Sequence, residues 1–159
     1  HLTDFNIEDF YVAIKENKVI GVIGKWDQRN FRQIIIKGYS GKIKFIKPFY
    51  DILARIMGFP ILPKPNSQLN FFYVSFIAIE KNDPQVFRAL LRELYNDSLG
   101  KGYSHFLVGL CSKDPLLEVA EEYNHVKFNG RLYVVCWEDG EKFFNGLDNR
   151  IPYIELATL

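Results

Sequence analysis

Residues 71–79, Phe-Phe-Tyr-Val-Ser-Phe-Ile-Ala-Ile, form an almost unbroken run of apolar, aromatic and β-branched side chains. Polar residues do not alternate along it, so neither face of a strand built from it can meet water. It must be a central strand covered on both sides. Glu80, Lys81 and Asn82 follow, and then Asp83-Pro84. That pair opens a helix, with the Asp carboxylate as cap and the Pro ring pre-set for the first helical position. Phe87, Leu90, Leu91, Leu94 and Tyr95 then recur on one helical face until Gly100 and Gly102 stop the element. A second β-rich run at 103–110 completes a strand–helix–strand unit, which predicts a parallel pair of strands with the helix crossing over one face.

The flanking segments extend this unit into a sheet. Residues 10–14 and 19–24 are β-rich runs around a polar turn, a predicted hairpin in which Asn17 is best suited to positive φ. Residues 31–36 either extend the second strand or form another. Residues 48–59 read as a helix with Pro48 in its first turn and Phe49, Ile52, Leu53, Ile56 and Met57 on one stripe, ended by Gly58 and Pro60. Three prolines between 60 and 68 make a loop. Asp114 caps a shorter helix running to Tyr123, and residues 126–128 and 131–137 read as two strands joined at Asn129-Gly130. Residues 153–157 fit an edge strand. The expected architecture is one α/β domain over 1–159, a mixed central sheet with flanking helices.

The chain's 159 residues, 48% hydrophobic and 25% charged, suit one folded domain and exclude wholesale disorder. Two cysteines cannot build a disulfide scaffold, and no stretch resembles a secretory signal or reaches the ~18 apolar residues of a membrane span. A cytoplasmic, reduced setting is the expectation. Net charge is only +1, which gives no reason to expect nucleic acid, but it is unevenly distributed. Nine basic residues stand between Lys25 and Lys64 against Asp27 and Asp51 alone. The segment 37–69 is therefore a basic, partly helical insertion, and its 37–59 portion suits an anionic surface or a partner domain. The alternative is that its apolar stripe packs on the sheet.

From about Phe10 to Trp137 the order of elements resembles the GNAT fold of acyl-CoA-dependent N-acyltransferases from its second strand onward. The closest local likeness is Ala120-Glu-Glu-Tyr123-Asn-His-Val-Lys-Phe128. It is similar to the family's tyrosine at a helix end followed five residues later by the Phe of a Gly-Phe pair, with Lys127 where glycine is usual. Nine residues before the hairpin leave no room for the family's first strand and first helices. With His1 as an unusual first residue, the expectation is the C-terminal part of a larger protein, the alternative being a sheet completed differently. The resemblance implies a cytoplasmic acyltransferase that passes an acyl group from acetyl-CoA or another acyl-CoA to an amine. The segment between strand and helix departs from the family, which places a glycine-rich pyrophosphate loop there. Here it reads Asn82-Asp83-Pro84-Gln85-Val86-Phe87-Arg88-Ala89, without glycine and with a carboxylate where phosphate belongs.

Acyl transfer from a thioester needs a base for the ammonium, donors for the oxyanion and an acid for the thiolate. The resemblance implies backbone donors near Ile79, cofactor contacts at Gln85, Arg88 and Ala89, and Tyr123 as the acid. Glu80, at the exit of the long strand, is the best-placed base. A core tyrosine and a solvated carboxylate are the plain alternatives for these two. Cys111 has no recognisable His partner, and His1, His105 and His125 share no metal-ligand spacing with the cysteines, so no metal is expected. Gly38-Tyr39-Ser40-Gly41-Lys42 lacks the spacing of a phosphate loop and reads as a turn. The missing glycines also support a second reading, a catalytically silent binding or scaffolding module on the same fold.

Overall fold

The computed structural model describes residues 2–59, 61–133, 135–148 and 150–159. The elements are β1 (Phe10–Lys15), β2 (Lys18–Trp26), β3 (Ile35–Ile36), α1 (Gly41–Met57), β4 (Ser67–Gln68), β5 (Phe71–Ile79), α2 (Pro84–Ser98), β6 (His105–Val108), α3 (Leu117–Ala120) and α4 (Glu141–Asn145). Four strands form one mixed sheet in the order β1-β2-β5-β6. The first three are antiparallel neighbours, and β5 and β6 run parallel. The β1–β2 turn holds Glu16 at φ +49° and Asn17 at φ +64°, both in the left-handed region that a two-residue hairpin of this hand requires.

The long run at 71–79 is covered on both faces over Phe71–Ser75, whereas Phe76 and Ile77 are half-buried and Ala78 is exposed. On one side Phe72, Val74 and Ile23 meet Phe87, Leu91 and Leu94 of α2 and Val119 of α3. On the other, Phe71 and Tyr73 join Phe5, Trp26 and Ala157. The helix starts as its sequence requires: the Asp83 carboxylate accepts from the Gln85 amide at 2.8 Å, and Pro84 is the first helical residue. Gly21 lets α2 sit close to β2, because a Cβ there would lie 2.7 Å from Val86 Cγ1.

The structure departs from expectation in three places. Helix α1 begins at Gly41, so Pro48 is interior rather than in the first turn. The ring removes one internal hydrogen bond, and the helix runs on through it. Its stripe does not pack on the sheet: Phe49, Ile52 and Ile56 are 71%, 60% and 77% exposed, while Ala54 is the helix's buried residue. The side facing the chain is polar, with Lys47 paired to Asp51 and the Leu62 amide donating to Asp51 at 3.2 Å. The two-residue pairing of β3 with β4 closes the base of this basic excursion.

Second, the described residues of 126–137 form no strand, and Phe128 and Trp137 are both 87% exposed. Strand propensity measures how a side chain suits a pleated surface, and it does not supply the edge that must accept the segment. Third, 153–157 is no edge strand. Leu156–Thr158 is a 3₁₀ turn capped by the Glu155 side chain, which accepts from the Ala157 amide at 3.0 Å.

Candidate functional site

The parallel pairing of β5 and β6 runs from Phe71↔His105 to Val74↔Val108 and stops there. Beyond it, β5 continues from Ser75 to Ile79 beside β2 alone. Within that stretch the register with β2 slips: Gly24 faces Ser75 and Val22 faces Ala78, so Phe76 and Ile77 together oppose Ile23. This is a β-bulge, with Phe76 at φ +52°. For a bulky side chain that conformation costs about 1–2 kcal/mol and persists only where its surroundings impose it. Ser75, just before the bulge, is fully buried, and its hydroxyl has no hydrogen-bond partner among the described residues.

Consecutive amides at the bulge both find partners in the 153–159 segment. Phe76 N–H donates to Glu155 Oε2 at 2.6 Å, and Ile77 N–H donates to the Tyr153 hydroxyl at 3.1 Å. The Tyr153 hydroxyl in turn donates to the same Glu155 oxygen at 2.5 Å. Burial, followed by the hydrogen bond to Glu155, raises the Tyr153 pKa well above the usual phenol range and keeps its proton in place. The Phe76 amide and the Tyr153 hydroxyl thus both donate to one Glu155 oxygen, and the Ile77 amide donates to that hydroxyl, at the point where β6 has left β5. The arrangement is chemically able to hold an oxygen that carries, or develops, negative charge.

Three of the residues predicted near this point lie close by in the chain, with different neighbours from those expected. Ile79 ends β5 with its side chain buried in the α2-side core, and the amides near it that meet side-chain oxygens are those of Phe76 and Ile77. Glu80 follows it in a 3₁₀ turn, exposed, with Lys18 of the hairpin 2.8 Å away. That hydrogen bond and charge hold its carboxyl below the usual carboxylate range. Gln85 is exposed on the first turn of α2 with its amide committed to Asp83. Pro84 has no N–H and Phe87 N–H bonds the Asp83 carbonyl at 3.2 Å, so among the described residues Val86 is the first-turn residue whose amide has no partner.

The other predicted residues gather elsewhere. Arg88 forms a forked ion pair with Glu122, with Nε 2.8 Å from Oε1 and 3.0 Å from Oε2, and Ala89 is exposed. Tyr123 packs its ring against Tyr95 and Phe106, with centroids 5.5 Å from each. Phe106 is in register with Phe72, four residues before Phe76, or roughly 13 Å along the strand. Burial raises the Tyr123 pKa, with Arg92 acting the other way. Tyr123, Arg92, Tyr95, Asn96 and Glu122 line a shallow hollow on α2, separate from the bulge.

Sequence reasoning did not find Phe76, Ile77, Tyr153 or Glu155. A bulge has no signature in a run of nine β-formers. The polar pair in Tyr153-Ile154-Glu155 was the available signal, since a strand of alternating residues would send both to one face. Among the described residues, no group of three or more His, Cys, Asp or Glu is arranged to hold a metal ion, and no helix is long and apolar enough to cross a membrane. Comparison with family models, with curated proteins and with solved structures finds no match for the chain.

Proposed function

We propose that the chain is an acyl-CoA-dependent N-acyltransferase domain whose acyl site is the β5 bulge. The observation that carries this reading is the pair of Phe76 and Ile77 amides beyond the last β5–β6 pair, both bonded to side-chain oxygens. In the proposed reaction the amides receive the thioester carbonyl oxygen of acetyl-CoA or another acyl-CoA. The free amine attacks the carbonyl carbon, the carbonyl π electrons move onto an oxyanion held by the two N–H groups, and collapse of that oxyanion breaks the C–S bond and expels the thiolate. Before attack Glu80, once its ion pair with Lys18 has opened and no longer holds its basicity down, takes the ammonium proton, and the departing thiolate takes up, through solvent, the second proton that the attached nitrogen sheds. Tyr123, packed some distance back along the sheet, carries no step. In a thiol-release assay with acetyl-CoA and a panel of primary amines, Glu80→Gln should lower turnover at least tenfold and Tyr123→Phe should leave it unchanged. Equal turnover in wild type and Glu80→Gln removes the base, and no release with any amine removes the enzyme.

A second reading, a catalytically silent module on the same fold, is supported by Asp83. Its carboxylate fills the helix-terminal position where a CoA diphosphate would need free amides. This reading expects no thiol release while a binding function survives Glu80→Gln.

For the basic excursion we propose contact with an anionic bilayer through α1. Phe45, Phe49, Ile52 and Ile56 are exposed along one side of a helix that also carries Lys42 and Lys44. Co-sedimentation with vesicles containing phosphatidylserine, lost in high salt and absent for phosphatidylcholine alone, is the expected result. Binding indifferent to lipid charge contradicts it and leaves a partner domain as the occupant.

A further inference from the structure

Residues 153–159 are fixed across the sheet at successive points. Glu155 and Tyr153 take the two bulge amides. Leu156 lies over Gly109, the residue after the last one paired in β6, so closely that a Cβ on Gly109 would meet Leu156 Cβ at 2.7 Å. Ala157 is 3% exposed in the Phe5–Trp26 cluster, and its carbonyl accepts from the buried Gln28 side chain at 2.7 Å. Arg32 donates to the Leu159 carbonyl at 2.9 Å. The segment therefore enters the gap where β5 and β6 part, and it does so through side chains. Among the described residues no backbone ladder joins it to β5, so its departure uncovers part of the Phe71–Tyr73 face that Leu156 and Ala157 cover but breaks no strand pairing.

The chemistry at the bulge is that of a ligand on its receptor. A carboxylate oxygen accepts from a backbone amide and a hydroxyl, and these are charge-assisted bonds, stronger than neutral ones. The same oxygen position is the one a thioester carbonyl needs. We infer that the 153–159 segment is a tethered competitor of the acyl group: Glu155 on Phe76 N–H and Tyr153 on Ile77 N–H are the resident partners of the bulge amides, and acyl-CoA binds only the fraction of molecules in which the segment has lifted. This rests on the acyl-CoA reading above. It makes the segment a strap over the site. A tether keeps its carboxylate at an effective concentration in the millimolar range, and the apparent affinity for acyl-CoA falls by the fraction of molecules left open.

Two substitutions of unrelated chemistry release the strap. Glu155→Ala removes the carboxylate, and Gly109→Ala sets a methyl against Leu156 Cβ. Arg32→Ala loosens the far end from the surface. Each is studied in the full chain by amide exchange and by calorimetric titration with acetyl-CoA. Exchange in 153–159 and at Phe76 and Ile77 should rise at least about tenfold in the first two variants, with β1 and the first half of β5 unchanged. Their apparent Kd for acetyl-CoA should fall at least about tenfold, and that of Arg32→Ala should fall less. Unchanged exchange overturns the strap. Released strap with equal acetyl-CoA affinity in wild type and variants overturns the competition alone. Released strap with no acetyl-CoA binding in any protein overturns the acyl-CoA reading and the competition with it. A variant that loses exchange protection throughout β5 shows the segment to be part of the core, which also contradicts a removable strap.

Discussion

Asp83→Asn separates two roles of one side chain. As the cap of α2, Asp83 accepts from Gln85 N–H at 2.8 Å, and an Asn oxygen caps a helix equally well, so stability should change by less than about 0.5 kcal/mol. As a charge, Asp83 opposes any diphosphate that reaches the first turn. A diphosphate at the Val86 amide would share the first turn with that carboxylate, a separation on the order of 6 Å, about one helical pitch. Two unit charges at ~6 Å in water repel by about 0.7 kcal/mol, or about 1.4 kcal/mol for a group bearing two charges. At physiological ionic strength the Debye length of about 8 Å roughly halves this. The substitution should therefore tighten CoA binding about threefold at physiological salt and about tenfold in dilute buffer, since each 1.4 kcal/mol is a factor of ten. Titration calorimetry with CoA at two salt concentrations, with thermal unfolding as control, reads both quantities. An unchanged Kd in dilute buffer with an unchanged Tm refutes the reasoning, because it means the diphosphate does not approach α2 at all.

Other consequences concern the scaffold. Leu91 is fully buried between α2 and the sheet, so Leu91→Ala loses about 2.4 kcal/mol for three carbons and more for the cavity, in all about 3–4 kcal/mol. A urea midpoint that corresponds to less than about 1 kcal/mol contradicts that burial. Asp97 is held down to about 2 by Lys101 first and then by the Tyr11 hydroxyl, 2.6 Å away. Its folded value is below its unfolded one, so its contribution is present above the ordinary carboxylate range and disappears as pH falls through about 2. Tyr11→Phe should consequently be less stable than wild type near neutral pH, with the difference shrinking in acid. A difference independent of pH would exclude the Asp97 contact as its source.

Local chemistry made the centre of the fold readable. Asp83-Pro84 fixed the start of α2 because the cap and the ring act within three residues, and Asn17 marked the hairpin for the same reason. The two-sided cover of β5 followed from having no polar face. What stayed hidden depends on partners distant in sequence. The run at 131–137 has every property of a strand except an edge that takes it. Pro48 suggested a first turn because a proline is costly elsewhere in a helix, yet α1 accepts it in the interior. The candidate site was the least legible part. Glu80 was found by its place at a strand exit, but the bulge depends on register with β2, and its oxygen partners come from residues nearly eighty positions away. Neither can be inferred from spacing.

In the proposed reading the Phe76 and Ile77 amides form the oxygen site of an acyl-CoA pocket. Titrating acetyl-CoA into the ¹⁵N-labelled chain tests this residue by residue. The amide resonances of Phe76 and Ile77 should shift most, together with loss of the Glu155 and Tyr153 contacts and smaller shifts at Val86. Saturable shifts confined to the Arg92–Tyr123 hollow, or none at all in the variant with the strap released, would contradict it.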